Sequence, residues 1–128
     1  MFVLYKSDNS SLQPWEYMEA APDDYKAGQM LAATGGLLEA LAADTLTTPP
    51  YICMADMTIT DDELLPVIRV SHDYIYETEL SAAAATAAPG GKLAVADGGL
   101  FAKAGAGTFE IVSLDGTAAG DAVRGRFA

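Results

Sequence analysis

Residues 28–38 read GQMLAATGGLL, and residues 91–101 read GKLAVADGGLF. The two stretches are 63 positions apart, five of their eleven pairs are identical, and Gly-Gly-Leu falls in register. Each is typical of a strand, a tight glycine-containing turn and a second strand. The repeat predicts a small β protein built from two similar hairpin units, with an internal duplication relating 27–70 to 90–127. Weaker matches extend the repeat, 51–54 to 109–112 and 67–70 to 123–126.

The remainder of the chain favours short strands over helices. Within 74–80, one set of alternating residues is tyrosine, threonine and leucine, which predicts a buried and an exposed strand face. Residues 108–114 and 123–127 also form strands in this interpretation, with a turn at Asp115-Gly116 between them. Residues 37–43 are ambiguous, because they contain good helix formers, but the repeat favours a strand. The predicted fold class is mainly β, a compact sandwich or barrel-like domain of short strands.

The first 24 residues differ in character from the rest. They combine large aromatic side chains with Ser, Asn, Gln and Pro, which predicts an N-terminal extended arm (1–24) preceding a single β domain (25–128). Aromatic side chains can anchor such an arm on its own domain or on a partner, and we expect it to reach a neighbouring chain. The candidate interface residues of the arm are its aromatic side chains, Phe2, Tyr5, Trp15 and Tyr17.

The chain is strongly acidic, and its charged residues are unevenly distributed along the sequence. The formal net charge is −11, with 14 acids and three bases in residues 1–80 and four of each in 81–128. Repulsion from phosphates argues against nucleic-acid binding. The acidity has two interpretations: it serves solubility alone, or the acidic part faces solvent while the neutral second part docks on a partner. Arg124 and Arg126 lie on one face of the last predicted strand, and we consider them either as protection of a sheet edge or as a contact for an acidic partner.

No group of residues predicts catalysis, a metal site or a cofactor. His72 beside Asp73 lacks a defined further partner, and Cys53 lies in an apolar run without a neighbouring base. The acidic run 61–63 does not have the ligand spacing of a calcium loop, and Lys92 after two glycines enters a strand instead of a helix. We therefore expect that the protein is not an enzyme and holds neither metal nor cofactor.

The sequence also argues against membrane insertion and secretion. No window approaches the roughly 18 consecutive apolar residues of a membrane helix. The N-terminal residues lack a basic region followed by a long apolar core, so we expect no signal peptide. A single cysteine excludes an internal disulfide and fits folding in the cytoplasm.

Several segments resemble one family in order and spacing. They are AGQML at 27–31, GLL at 36–38, PYICM at 50–54, LPVIRV at 65–70, YIYET at 74–78 and EIVSLDGTAAGDAVRGRF at 110–127. On these segments the chain is similar to small structural proteins encoded in tailed-bacteriophage head-gene clusters. The resemblance covers about residues 25–127, and the N-terminal arm matches less clearly.

The resemblance implies a capsid decoration or head-stabilising protein. Such a protein is a compact β domain that binds the outer surface of an expanded capsid. Its implied partners are the major capsid protein and further copies of itself in a homotrimer, with no nucleic acid and no membrane. The implied location is the exterior of the virion capsid, after synthesis in the cytoplasm of the bacterial host.

Two other functions remain open from the sequence. One is a tail or neck component of the same kind of virion. The other is a small β binding module that recognises a glycan or a host surface, with Trp15 and Tyr17 as its platform. A concave pocket lined by aromatic residues would favour the binding module, and a flat apolar interface would favour decoration.

Overall fold

The computed structural model describes residues 1–7, 15–41, 48–61 and 63–127. Within them the chain forms a series of short strands, with a 3-10 turn at Asp97–Gly99. The strands are β1 (Val3–Ser7), β2 (Glu16–Glu19), β3 (Asp23–Tyr25), β4 (Met30–Thr34), β5 (Leu37–Ala40), β6 (Tyr51–Cys53), β7 (Met57–Ile59), β8 (Leu64–Arg69), β9 (Tyr74–Glu79), β10 (Lys92–Ala96), β11 (Phe101–Ala104), β12 (Phe109–Leu114) and β13 (Ala122–Phe127).

These strands form three antiparallel layers. Sheet A has six strands in the order β1-β9-β13-β12-β10-β11, and sheet B has five in the order β2-β8-β6-β4-β5. Among the described strands, β3 and β7 pair only with each other. The predicted mainly β fold is confirmed as a compact sandwich, and the described sheets do not close into a barrel.

The strand order is duplicated. We name β2, β4, β5, β6 and β8 unit 1, and β9 to β13 unit 2. Numbered along the chain, the strands of each unit lie in the order 1-5-4-2-3. In each unit the residue after the first strand also makes one parallel bridge to the third strand, Ala20 to Leu38 in unit 1 and Leu80 to Ala102 in unit 2. The predicted duplication is therefore present at the level of topology, with β1, β3 and β7 outside it. Its predicted bounds, 27–70 and 90–127, are wrong at their starts, because the units begin earlier, with β2 and β9.

The two glycine-rich repeats are the equivalent hairpins of the units, as predicted, but their turns differ. Between β4 and β5 the whole turn is Gly35 and Gly36, with φ of 60° and 85°. Residues with positive φ at both central positions suit a two-residue hairpin turn. Between β10 and β11 four residues, 97–100, connect the strands and include the 3-10 turn. The matching Gly-Gly-Leu therefore serves two different turns.

Hydrogen-bond registers correct the alignment of the repeats. Leu31 pairs with Tyr51, and Leu93 pairs with Phe109 at the same place in unit 2. This confirms the weaker match of Tyr51 to Phe109, but it makes Leu31 equivalent to Leu93 instead of Ala94. The in-register alignment is thus wrong by one residue on this strand. A one-residue slip exchanges the two faces of a strand, so the correction decides which side chains are equivalent.

The match of 67–70 to 123–126 is wrong by two residues. Cys53 pairs with Val67, and Ile111, which is equivalent to Cys53, pairs with Gly125. Val67 is therefore equivalent to Gly125. A two-residue slip keeps each side chain on its face, so the alternation of apolar and basic residues could not distinguish the two alignments.

The described residues form two hydrophobic clusters. The smaller lies between sheet B and the β3–β7 pair, and its members are Ala20, Tyr25, Leu31, Leu38, Tyr51, Cys53, Ile59, Leu65 and Val67. The larger combines the inner face of sheet A with Met30, Ile52 and Ile68 from the opposite face of sheet B. The central part of sheet B is therefore covered on both faces. Nothing in the described ranges forms a further layer on the outer face of sheet A.

The first strands belong to the domain. Strand β1 pairs with β9, and β2 pairs with β8. Phe2 is 1% exposed, and its ring lies 5.5 Å edge-on from Phe109. The prediction that residues 1–24 form a separate arm that reaches a neighbour instead of completing its own core is wrong for the described part, because both sheets use strands from this range. Residues 8–14 lie outside the described residues.

Side-chain alternation in β9 follows the prediction. Tyr74, Tyr76, Thr78 and Leu80 are all at most 2% exposed. Separately, the described residues contain no helix that is long and apolar enough to cross a membrane.

Candidate interaction surfaces

The six predicted interface residues separate into three places. Phe2 is buried in the larger cluster, so its prediction as a contact residue is wrong for this chain by itself. Tyr5, Arg124 and Arg126 lie together on the outer face of sheet A. Trp15 and Tyr17 lie at the outer strand of sheet B and are 52% and 62% exposed.

The outer face of sheet A is a bare, mostly polar sheet surface. Its rows follow from the register, in which Lys92 lies opposite Glu110 and Glu110 opposite Arg126. Three of its apolar side chains are exposed, Val3, Tyr5 and Val112. Its charged side chains are Lys6, Glu77, Glu79, Lys92, Lys103, Glu110, Arg124 and Arg126.

Arg124 is held by its neighbours on this face. Its Nε donates to Oε2 of Glu77 at 2.8 Å, and its Nη1 donates to Oδ1 of Asp115 at 3.1 Å. Its guanidinium carbon lies 5.1 Å from the centroid of the Tyr5 ring. The hydrogen bond to Asp115, followed by that to Glu77, raises the pKa of Arg124 and keeps it charged. Charge reversal here would break internal ion pairs, so it would not report on a partner alone.

The interpretation of Arg124 and Arg126 as edge protection is wrong. Strand β13 lies between β9 and β12 and has hydrogen-bonded neighbours on both sides. The predicted alternation is nevertheless present, because Val123, Gly125 and Phe127 face the core, whereas Arg124 and Arg126 face outward. Arg126 Nη1 also donates to the backbone oxygen of His72 at 3.5 Å.

The outer face of sheet A concentrates the positive charge of an acidic chain. Its described residues include five of the seven basic residues of the chain and, with Asp115, four acids. Elsewhere in the described residues acids outnumber bases, and the bases there are Lys26 and Arg69. Along the chain the charge changes near residue 80, whereas the fold also brings Lys6 of β1 to this face. Sheet A therefore presents a nearly balanced surface, and acids dominate elsewhere.

A second surface, which we call the Tyr17 surface, combines Trp15, Tyr17 and Leu64. Tyr17 lies opposite Pro66, and Leu64 is two residues from Pro66, so Tyr17 and Leu64 project from the same face of sheet B. Trp15 lies two residues before Tyr17, immediately outside β2. Leu64 is 52% exposed. Large exposed aromatic and aliphatic side chains grouped in this way are typical of binding surfaces.

An apolar cleft continues the Tyr17 surface. Met54 donates its backbone N–H to Pro66 at 2.9 Å, which places it in the row of Tyr17. Met54 lines a cleft of about 240 Å³ between β1 and sheet B. The other lining residues are Met1, Phe2, Val3, Leu4, Ala27, Gly28, Ile52, Cys53, Ile68 and Tyr76. The lining is almost wholly apolar and offers no acid–base pair for chemistry.

The residues considered for chemistry lie apart. Nε2 of His72 is 3.4 Å from Oδ1 of Asp73, and the imidazole is 78% exposed. Cys53 is fully buried and donates to the Ala55 oxygen at 3.1 Å. Burial raises the pKa of its thiol, which disfavours the reactive thiolate. Across the ranges that the structure covers, no three His, Cys, Asp or Glu side chains are grouped to hold a metal.

The sequence did not reveal that Leu64 and Val112 are exposed, nor that Lys6, Lys92 and Lys103 share the outer face of sheet A. Alternation within β12 predicts that Val112 lies on the strand face opposite to that of the buried Ile111. The grouping of the lysines could not be found in this way, because it depends on which strands are neighbours. A comparison with known protein families and with curated proteins finds no match to this sequence.

Proposed function

We propose that this chain is a virion structural protein that binds the outer surface of a bacteriophage capsid and stabilises it. Its partners are the major capsid protein and, in a homotrimer, further copies of itself. The proposal begins from the resemblance of residues 25–127 to small head proteins of tailed phages. Among the structural features, the Tyr17 surface supports it most, because it offers an apolar contact area on a chain with a net charge of −11.

The Tyr17 surface suits the attachment of many copies to one lattice. Trp15 and Tyr17 bring large, rigid rings, which are the side chains that most often dominate the energy of an interface. The cleft beside them accepts a protruding apolar side chain of the partner. Each contact can be modest, because a trimer that engages several lattice sites gains from its effective concentration.

The acidic remainder of the chain supports a position outside the shell. A surface rich in carboxylates is repelled by packaged DNA and remains well solvated when it faces water. Among the described residues, most acids lie away from the outer face of sheet A, for example Asp23, Asp24 and Asp56. They would keep decorated particles apart in solution by mutual repulsion.

The test is binding of purified chain to expanded particles that lack it, from the phage that encodes it. Bound copies are counted after sedimentation, and a particle reconstruction locates them. We expect saturable binding to the outside of the shell, with an affinity at least tenfold weaker for the double variant Trp15→Ala, Tyr17→Ala. The matched control is Tyr17→Phe, which keeps the ring and should bind as the unmodified chain does.

The location decides between the virion functions. A chain found inside the shell, or only at the neck or tail, overturns the decoration function, and the second location would instead establish the tail or neck alternative. Thermal unfolding of each variant shows whether it is folded, so that loss of binding is attributed to the contact surface.

The exposed rings also favour a second candidate, a module that binds a glycan or a host surface. Trp15 and Tyr17 could stack on sugar rings, and oligomerisation would raise the avidity of such a module. Glycan-array binding that is lost in Trp15→Ala, together with no binding to particles, would support this candidate. Binding to particles without binding to any glycan would reject it.

A further inference from the structure

The apolar cleft beside the Tyr17 surface is bordered on one side by a strand edge. Strand β1 is the outermost strand of sheet A, and its one partner among the described strands is β9. We call the side of β1 that points away from β9 its free edge. Residues 1–4 line the cleft from this strand, and Ile52, Met54 and Ile68 line it from the side of sheet B. The cleft therefore has an apolar lining and a strand backbone along one wall.

The hydrogen bonds of β1 identify the backbone groups that face the cleft. Alternate residues of a strand turn their N–H and C=O groups to opposite edges. Phe2 donates its N–H to the oxygen of Gly28 at 2.9 Å, so its backbone groups face away from β9. Val3 lies opposite Glu77 of β9. Leu4 therefore turns its N–H and C=O groups to the free edge, two residues beyond the contact with Gly28.

The hydrogen bonds of β9 lead to the same assignment. Leu80, directly after this strand, donates its N–H to the oxygen of Asp121, directly before β13, at 3.0 Å. Glu77 lies an odd number of residues before Leu80 and therefore turns its backbone groups to the other neighbour, β1. Val3 and Glu77 thus form the hydrogen-bonded pair, and the backbone groups of Leu4 are left for a strand on the other side.

We propose that the free edge of β1 and the cleft together bind an extended segment of a partner polypeptide, which adds a strand to sheet A and places one apolar side chain in the cleft. The chemistry of the site identifies this occupant. The backbone groups at a strand edge are paired by another strand, whereas a lipid or a small apolar molecule would leave those of Leu4 unpaired. The cleft of about 240 Å³ has room for an aliphatic or aromatic side chain.

The Tyr17 surface gives the added strand further apolar contacts. Met54 lies in the row of Tyr17, so the apolar lining continues from the cleft onto this surface. Every second side chain of an extended segment points to the same side, and these side chains would face sheet B. Backbone pairing supplies affinity in such complexes, and the pockets for alternate side chains supply specificity. The identity of the protein that supplies the segment rests on the proposed function, whereas the strand addition itself does not.

The probe is a library of random twelve-residue peptides, displayed on yeast and selected against the full chain. Enriched peptides are synthesised, and their Kd values are measured by fluorescence anisotropy. We expect apolar residues at alternate positions. Each peptide is then N-methylated at one residue at a time, which removes a backbone donor and keeps the side chain. Binding should weaken at least tenfold within one alternate set of residues and less than about twofold in the other, because only one edge of the added strand is paired.

Two variants of the chain test the two halves of the site. Met54→Glu places a carboxylate in the cleft, and Leu4→Pro removes the N–H at the free edge, where a strand tolerates proline. Each should weaken peptide binding at least tenfold. The matched control Val112→Glu changes an exposed apolar residue on the outer face of sheet A and should bind as the unmodified chain does. Thermal unfolding shows whether each variant is folded, and the N-methyl scan depends on neither variant.

Three results would overturn the inference. The first is that no enriched peptide binds with a Kd below about 1 mM. The second is binding that is indifferent to N-methylation in both sets, which indicates contact through side chains alone. The third is self-association of the free chain that Met54→Glu abolishes, which assigns the free edge to a second copy.

The outcome for particles is separate. If peptide binding follows the alternate pattern but no particle is bound, the proposed function fails and the strand addition holds. If particles bind the unmodified chain and Met54→Glu equally and no peptide binds, the strand addition fails and the proposed function stands.

Discussion

The two units share one strand order, but equivalent faces of their sheets are apolar and buried in unit 1 and charged and exposed in unit 2. The row Met30, Ile52 and Ile68 of unit 1 is buried in the core between the sheets. By the corrected register its equivalents in unit 2 are Lys92, Glu110 and Arg126, a row of alternating charge on the outer face of sheet A. The same backbone arrangement thus supports a buried apolar row and a solvated charged one.

This difference teaches that strand order and outer-face chemistry are separable. Inside the units the equivalent positions agree, as with Leu31 and Leu93 or Cys53 and Ile111, which are all at most 2% exposed. On the opposite face of each sheet the equivalent positions differ, because this face is covered by unit 2 in unit 1 and faces solvent in unit 2. The charged row faces solvent in this chain, where its side chains remain hydrated.

The largest expected loss of stability comes from replacing a residue of the buried row by its charged equivalent from unit 2. Met30 is 0% exposed, and its equivalent is Lys92. We expect Met30→Lys to cost about 5 kcal/mol or to prevent folding, because the ammonium would be buried without a partner. Chemical denaturation measures the change. The reverse exchange, Lys92→Met, should stay within about 1 kcal/mol of the unmodified chain, and equal effects of the two would refute the assignment of faces.

The next effect concerns the N-terminal strand, which completes the core of unit 2. Phe2 is 1% exposed and packs on Phe109 and Phe127 at ring distances of 5.5 and 6.2 Å. We expect Phe2→Ala to cost about 3–5 kcal/mol. The control Tyr17→Ala removes an exposed ring and should change the free energy of unfolding by no more than about 0.5 kcal/mol. If Phe2→Ala leaves the free energy of unfolding unchanged, Phe2 does not stabilise the core, and the N-terminal segment is a free arm.

The two Gly-Gly-Leu motifs should differ in their tolerance of a methyl group. A Cβ at Gly99, where φ is 100°, would overlap the carbonyl oxygen of Met30, whereas a Cβ at Gly36, where φ is 85°, meets nothing within 4 Å. Gly36→Ala should cost about 1–2 kcal/mol from backbone strain alone. Gly99→Ala should cost about 3 kcal/mol, since overpacking is added. Thermal unfolding of the two variants side by side checks this, and identical losses would show that the 3-10 turn does not pack on β4.

The smallest effect is a difference in the pH dependence of stability. Tyr76 of unit 2 is equivalent to Glu16 of unit 1, which forms an exposed ion pair with Arg69 at 2.8 Å. Burial raises the pKa of Tyr76 to about 12. The unfolded phenol ionises near pH 10, so the contribution of Tyr76 is complete below pH 10 and is lost as the pH rises through 12.

The measurement is urea denaturation between pH 9 and 11.5 on the unmodified chain and on Tyr76→Phe. We expect the unmodified chain to lose about 2 kcal/mol more than the variant over this range, because the other titrating groups are common to both. Parallel profiles would show that the Tyr76 hydroxyl is as well hydrated in the folded state as in the unfolded one.

Much of this fold was predictable because its signals are local. Alternation identified the buried face of β9, and paired glycines marked the two hairpins, since both depend on the period of two and on backbone conformations that glycine permits. The match of Tyr51 to Phe109 was also visible, because interior positions keep their apolar character. These features need no knowledge of which strands become neighbours.

The candidate surfaces were predictable only in part. The sequence indicated that Trp15, Tyr17, Tyr5 and the two arginines are unusual in an acidic, glycine-rich chain. It could not separate Phe2 from the other aromatic residues, because burial depends on whether β1 joins a sheet. Nor could it assign the arginines to a central strand instead of an edge, because strand order is set by contacts between residues far apart in the chain.

The sequence by itself determined the class of structure, the position of the hairpins and the excess of acid over base. Only the tertiary structure decided the one-residue correction of the repeat, the burial of the first strand and the gathering of five bases on one face. The physical reason is the same in each case. A strand has two faces and two edges of nearly equal local preference, and the choice between them is made by the layer that packs against it.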